Sequence, residues 1–265
     1  MWTALVTGAS SGIGEACALR LVRGGWRVLA GVRRAGDAPD GTEEVLLDVT
    51  DAEQIAAAAS RVAELDGLVN NAGIALAGPL EFLPAEELRR QLDVNVVAQV
   101  AVTQAFLPAL RRARGRIVFV GSIAGRAALP FIGAYSASKH ALEAVADTLR
   151  LELAPFGINV SIVEPGTIRT PIWEKSAAVA DGLLQEAPPE LDGLYGARIA
   201  SFSRIALARA RQGAPAEDVA KAVEAALTAQ RPRPRALVGR DAKLRAALQR
   251  LPDGLRDRVY RRLLR

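Results

Sequence analysis

Short apolar runs alternate with longer stretches of helical period along the chain. Residues 3–7, 27–30, 45–47, 68–69, 116–120, 159–163 and 236–238 are rich in Val, Ile and Leu and too short to be helices. They predict seven buried strands. The intervening stretches have helical spacing; in residues 51–65, for example, Thr50 and Glu53 stand at the separation of a capping box. Such alternation predicts an α/β fold, a doubly wound parallel sheet of about seven strands with helices on both faces.

Two regions depart from this rhythm. Residues 94–110 are apolar enough to suggest a membrane span, but Asn95, Gln99 and Thr103 recur every fourth residue, which reads as the polar face of a soluble helix. Between residues 172 and 213, Pro188-Pro189 and Asp192-Gly193 break the pattern, predicting a substrate lobe over the strand ends. No internal repeat is present, and residues 1–265 are expected to form a single domain.

Composition sharpens the class. The chain is 50% hydrophobic and 24% charged, within the globular range and far from disorder. Cys17 is the only cysteine, and Met1-Trp2-Thr3 enters the first strand with no basic leader, so a cytoplasmic location is expected. The formal charge of +5 is uneven: residues 231–265 hold twelve Lys/Arg against three Asp/Glu, leaving the remainder mildly acidic. In that tail Leu244, Leu248, Leu251, Leu255, Val259 and Leu263 recur at roughly helical spacing. A basic helix over about 241–265, docked on its own subunit with its arginines in solvent, is the expectation. The alternative is a nucleic-acid or anionic-membrane module.

The chemistry begins after the first strand, where Gly8, Ser10, Ser11, Gly12, Ile13 and Gly14 lead into helix-forming residues. Glycines there permit a tight turn, and the helix start offers free N–H groups to a pyrophosphate. The Gly-x-x-x-Gly-x-Gly spacing differs from Gly-x-Gly-x-x-Gly and alone could mark a purely structural turn. Four further features follow in order: Asn70-Asn71-Ala72-Gly73 after the fourth strand, Asn95 in the next helix, Ser122 at the end of the fifth strand, and Tyr135-Ser136-Ala137-Ser138-Lys139 opening the helix beyond. Residues 165–170, Pro-Gly-Thr-Ile-Arg-Thr, follow the sixth strand. Together these resemble the short-chain dehydrogenase/reductase family over nearly the whole chain, with its Rossmann-type fold.

Reducing a ketone leaves negative charge on oxygen, so the site needs a hydrogen-bond donor and a proton source there. Tyr135 can supply the proton, and Lys139, four residues on, shares its helix face, where an ammonium would favour the phenolate. The resemblance further implies that Lys139 bonds the nicotinamide ribose, that Ser122 holds the substrate oxygen, and that Asn95 holds a water linking Lys139 to solvent. It also implies adenine contacts from Asp48 and Val49, cofactor walls from Asn71, Ala72 and Gly73, and nicotinamide contacts from Pro165, Gly166, Ile168 and Thr170. Asn71 and Thr170 could instead be capping residues, and His140, the only histidine, reads as an ordinary helix position.

About 20 residues beyond the glycine turn, where a carboxylate would bond the ribose hydroxyl of NAD, stand Val32, Arg33 and Arg34, which favours NADP(H). No His/Cys/carboxylate cluster has metal-ligand spacing, so no metal is expected. Leu129, Phe131, Ile132 and Trp173, with Ser122 and Tyr135, are the expected substrate wall, apolar and without an arginine clamp for a carboxylate. The stretch 136–156 and residues 161–166 look most like the retinol and hydroxysteroid dehydrogenase branch, implying a lipophilic alcohol, ketone or aldehyde. Family members pair through the helices bearing Asn95 and Lys139, so a homodimer or homotetramer is expected. The runner-up is an NADP(H)-binding regulator without turnover.

Overall fold

The computed structural model describes residues 1–185 and 188–263. Seven parallel strands form one sheet: β1 (Thr3–Thr7), β2 (Arg27–Val32), β3 (Glu43–Leu46), β4 (Gly67–Asn70), β5 (Arg116–Val120), β6 (Asn159–Pro165) and β9 (Arg235–Val238). Their order is β3-β2-β1-β4-β5-β6-β9, so the chain winds outward one way from β1 and then returns to wind the other way from β4. In such sheets the crevice at the reversal, beyond the carboxyl ends of β1 and β4, is where ligands bind.

The apolar runs are explained by cover on both faces. Within β1, Leu5 joins a core with Leu68, Phe106, Ile117 and Phe119, while Ala4 and Val6 face an opposite core with Leu21, Val118 and Val223. Helix α1 (Gly12–Arg23) and helix α8 (Ala216–Thr228) pack together over the second core, and Arg20 fastens them through Glu217 at 2.6 Å and Glu224 at 2.6 Å. Helix α2 (Ala52–Ser60), helix α4 (Ala98–Ala113) and helix α5 (Gly133–Leu153) contribute to the first. The capping expectation shifts by one residue. Asp51 caps α2, accepting from Glu53 N at 2.9 Å and Gln54 N at 3.1 Å, while Thr50 bonds back to Asp48. A carboxylate preceding the helix outcompetes the hydroxyl for its free N–H groups.

The polar stripe of residues 94–110 points inward. Helix α3 (Ala85–Leu92) continues through one wide π turn, Asp93–Val97, into α4. Asn95, Gln99 and Thr103 are fully buried, whereas Val97 is 58% exposed. The stretch Ala85–Ala113 is long and apolar enough by composition to cross a membrane, but Val102, Phe106 and Leu110 are spent on the sheet core.

Beyond β6 the loosened region forms helix α6 (Ile172–Gln185), a π turn over Asp192–Gly196 and helix α7 (Ala197–Arg211). Its ends are drawn together by β7 (Ile168–Arg169) pairing with β8 (Ala214–Pro215). The basic tail is two helices, α9 (Arg240–Leu248) and α10 (Asp253–Leu263), divided by Leu251-Pro252 because proline cannot continue a helix. The expected leucine face is corrected too. Leu244 is 63% and Leu255 49% exposed, while Ala242 and Ala246 pack against Ile123, Ala127 and Leu237; the Leu263 side chain lies outside the described residues.

Candidate active site

The glycine turn closes because its residues occupy backbone space that side chains would block. Gly8 and Gly12 have φ of 65° and 63°, and a Cβ at Gly14 would collide with the Gly8 carbonyl oxygen. Ser11 precedes α1 in extended conformation and makes no side-chain cap, so the first N–H groups of the helix stay open to the crevice. Thr7 ties this turn to the loop after β4: its Oγ1 accepts from Asn71 N and Ala72 N at 3.0 Å each. Asn71 Nδ2 in turn donates to Thr7 O at 2.9 Å and Gly8 O at 3.2 Å.

The buried stripe on α3 and α4 holds the rest of that loop. Gln91 Oε1 accepts from Leu76 N at 2.8 Å, and its Nε2 donates to Ile74 O at 2.9 Å. Asn95 Oδ1 accepts from Ile74 N at 2.9 Å, and Gln99 Nε2 donates to Ala72 O at 2.9 Å. Thr103 Oγ1 accepts from Asn70 Nδ2 at 2.9 Å. Residues every four along the helix therefore grip residues every two along an extended segment, as a neighbouring strand would. A four-residue repeat overshoots the 3.6-residue turn, and the wide turn around Asn95 takes up the excess.

Both N–H groups of the Asn95 amide are used. Its Nδ2 donates to Ile74 O at 2.9 Å and to Ser138 Oγ at 3.0 Å, and Ser138 Oγ donates to Tyr135 O at 2.7 Å. The side chain thus links the loop after β4 to helix α5.

Ser122 follows β5 and accepts from Ala124 N at 3.1 Å, and its hydroxyl lines the same cavities as the Tyr135 phenol. Burial raises the Tyr135 pKa, and Ser122 and the Arg245 guanidinium oppose that rise. Lys139 Nζ donates to Val120 O at 2.8 Å and lies 5.8 Å from the Tyr135 ring centroid. Burial lowers its pKa to about 8. Arg245 thus adds a positive charge near the phenol that the spacing of Tyr135 and Lys139 did not reveal.

Two cavities meet at these side chains. The first, about 710 Å³, runs along the crevice past Gly8, Ser10, Ser11, Gly12, Ile13, Arg33, Asp48, Val49, Asn71, Ala72, Gly73, Tyr135, Lys139, Pro165, Gly166, Ile168 and Thr170. Two residues expected there are absent from its lining. Gly14 is buried beneath the turn, and Arg34 is exposed beyond the rim. Arg33, by contrast, lines the cavity and its charge lowers the Asp48 pKa, after the Thr50 bonds to that carboxylate.

The second cavity, also about 710 Å³, is walled by Leu129, Ile132, Trp173, Phe202, Ile205, Leu244 and Leu248 among others. Phe131 is not part of it: with φ of 64°, the residue meets Tyr195 edge-on and Phe202 at a tilt. The expected absence of arginine is corrected as well. Arg209, Arg240 and Arg245 all reach this cavity, and Tyr260 of α10 closes one side. Arg209 comes from the expected substrate lobe, whereas sequence reasoning missed Arg240, Arg245 and Tyr260 because no local motif ties α9 and α10 to Ser122 and Tyr135. His140 is exposed, with Nδ1 2.8 Å from Ser136 O.

A family model for short chain dehydrogenases matches residues 2–180. A 3-dehydrocapnine reductase of Ornithobacterium rhinotracheale, described as NADPH-dependent, is 34% identical over 97% of this chain and 95% of its own. Retinol dehydrogenase 5 of Mus musculus is 39% identical over 90% of this chain and 81% of its own. A short chain dehydrogenase of Burkholderia cenocepacia, solved in complex with NADP, superposes with a TM-score of 0.78 at 30% identity, covering 100% of this chain and 98% of that one. The chain belongs to the short-chain dehydrogenase/reductase family.

Proposed function

We propose that this protein transfers a hydride between NADP(H) and an alcohol/carbonyl pair on an apolar substrate. The observation that carries the reading is that Ser122, Tyr135, Gly166 and Trp173 line both cavities, so the donor pair stands where two bound molecules would meet. The crevice residues fit NADP(H): the open α1 N-terminus suits the pyrophosphate, the positive-φ glycines leave backbone exposed to it, and Arg33 suits the 2′-phosphate. When bound, the dinucleotide supplies or accepts the hydride.

The protein's own part is the proton and the oxygen. Burial keeps the Tyr135 phenol protonated at neutral pH, so it donates to the developing alkoxide, and Ser122 holds the same oxygen in place. Lys139, held by Val120 O at the border of the cavity, bonds the ribose hydroxyls and anchors the dinucleotide. Asn95 acts as a positioning residue, fixing Ile74 and, through Ser138, the start of α5. Exposed Val97 and Leu151, on the outer faces of the Asn95 and Lys139 helices, offer a surface for pairing into a homo-oligomer.

The test is mixing with NADPH and a panel of apolar ketones, following absorbance of the reduced nicotinamide. Tyr135→Phe is expected to bind NADPH normally and to lower kcat by about 10²–10⁴-fold. Binding of NADPH without oxidation across the panel would favour a regulator over an enzyme, and wild-type turnover in the Phe variant would remove Tyr135 from the proton step.

A further inference from the structure

The second cavity holds a guanidinium whose surroundings leave it incomplete. Arg245 Nη2 donates to Ala127 O at 2.6 Å, but its Nε is buried with no hydrogen-bond partner among the described residues. Tyr260, whose Oη accepts from Gln249 Nε2 at 2.8 Å, stands against the same group. Among the described residues Arg245 makes no ion pair, and neither do Arg209 and Arg240 at the cavity rim. The two carboxylates in the lining are engaged elsewhere. Asp241 accepts from Thr167 N at 2.7 Å and Thr167 Oγ1 at 2.9 Å, and Asp218 pairs with Lys221 at 3.4 Å.

With one carbonyl and a phenol against it, and the Asp241 carboxylate acting only from beyond ion-pair distance, the guanidinium has much of its lost hydration uncompensated. Burial accordingly lowers the Arg245 pKa. An anionic oxygen entering the cavity would complete the site, since a guanidinium and an oxyanion form charge-assisted bonds. The remaining wall, Leu129, Ile132, Phe202, Ile205, Leu244 and Leu248, accepts an apolar body.

We infer that the substrate is an apolar carbonyl compound, or the matching alcohol, bearing an acidic group that Arg245 binds while Ser122 and Tyr135 hold the reacting oxygen. This rests on the oxidoreductase reading above and names the substrate class within it. A neutral lipophilic ketone fills the same walls but leaves Arg245 unanswered.

The probes are medium-chain methyl ketones ending in a carboxylate, at three chain lengths, each beside its methyl ester. Affinity for the protein saturated with NADP⁺ is measured by calorimetry, and NADPH-dependent turnover is followed in parallel. At the best chain length the acid is expected to bind about ten- to a hundredfold tighter than its ester, the range of hydrogen bonds to charged groups. Arg245→Met should bring that ratio near one, Arg245→Lys should keep part of it, and Arg250→Met, which removes an exposed charge, should keep all of it. NADP⁺ affinity checks that each variant is assembled, and Arg245→Lys carries the comparison should the Met variant not fold. Equal affinity for acid and ester in the wild type would overturn the inference. So would an Arg245→Met variant that loses acid and ester alike while its pH profile shifts, since Arg245 would then act only on the Tyr135 proton. Failure to turn over the esters as well would instead strike at the oxidoreductase reading, so the two failures are separable.

Discussion

Asn95→Ala separates two roles that the sequence could not. The substitution takes from Ile74 N–H its acceptor among the described residues and removes the Nδ2 bonds to Ile74 O and Ser138 Oγ. Ile74 O keeps a second donor, Gln91 Nε2 at 2.9 Å, so that carbonyl is not orphaned. One unsatisfied N–H costs about 1–3 kcal/mol and each lost bond about 0.5–1.5 kcal/mol, so a loss of about 2–4 kcal/mol is expected. For a chain of this size that corresponds to about 5–15 °C in Tm. Because Ile74 lines the first cavity, NADPH affinity should fall together with stability. The assay is thermal unfolding with and without NADPH, alongside steady-state kinetics. A variant that keeps its Tm and NADPH affinity while losing kcat would refute the clamp argument and return Asn95 to the water relay.

Three further outcomes follow from other parts of the molecule. Glu164 is fully buried between Arg126 at 3.2 Å and Arg235 at 3.4 Å, and burial together with nearby Glu143 raises its pKa to about 7. The folded state therefore holds the proton more tightly than the unfolded chain. This contribution is complete below pH about 4.5 and is lost as pH rises through about 7. Wild-type Tm should thus drop more between acid and neutral pH than that of Glu164→Gln, and parallel curves would remove Glu164 as the cause. Gly14→Ala should destabilise the fold and weaken NADPH binding at least about tenfold, since its Cβ meets backbone, whereas Gly182→Ala, with nothing within 4 Å, should be neutral or mildly stabilising in thermal melts. Arg33→Ala should lower kcat/KM for NADPH by about tenfold with little change for NADH, and an unchanged ratio would show that another group reads the phosphate. Val32 lines the first cavity beside Arg33 but is only 1% exposed and packs in the core with Val28 and Ala30, so a carboxylate placed there would also cost stability.

What was legible in the chain is what local physics encodes. Strands covered on both faces must be apolar throughout, so the seven runs stood out, and the glycine turn was readable because Gly8 and Gly12 need backbone angles that other residues avoid. Ser122, Tyr135 and Lys139 were readable as a set, but not the bonds they make. Spacing put Lys139 beside Tyr135, and only tertiary packing decides that its amine turns to Val120 O. The stripe at 95, 99 and 103 was legible as a polar face, but not the inward direction in which it points. A period reveals that a helix has a polar face, not whether water or backbone satisfies it.

The inward direction of that face bears on how the site is built. The loop from Asn70 to Leu76 must stay extended and irregular to wall the crevice, so it has no strand partner on that side and its peptide groups need other acceptors and donors. Gln91, Asn95, Gln99 and Thr103 supply them from a helix already anchored in the sheet core by Val102, Phe106 and Leu110. Apolar burial on one flank of the helix thereby offsets the desolvation of the amides on the other. Through Asn95 and Ser138 the same framework reaches the backbone of Tyr135. The wall of the first cavity and the tyrosine at its junction with the second are thus held by one continuous set of bonds, and loosening any rung should move both.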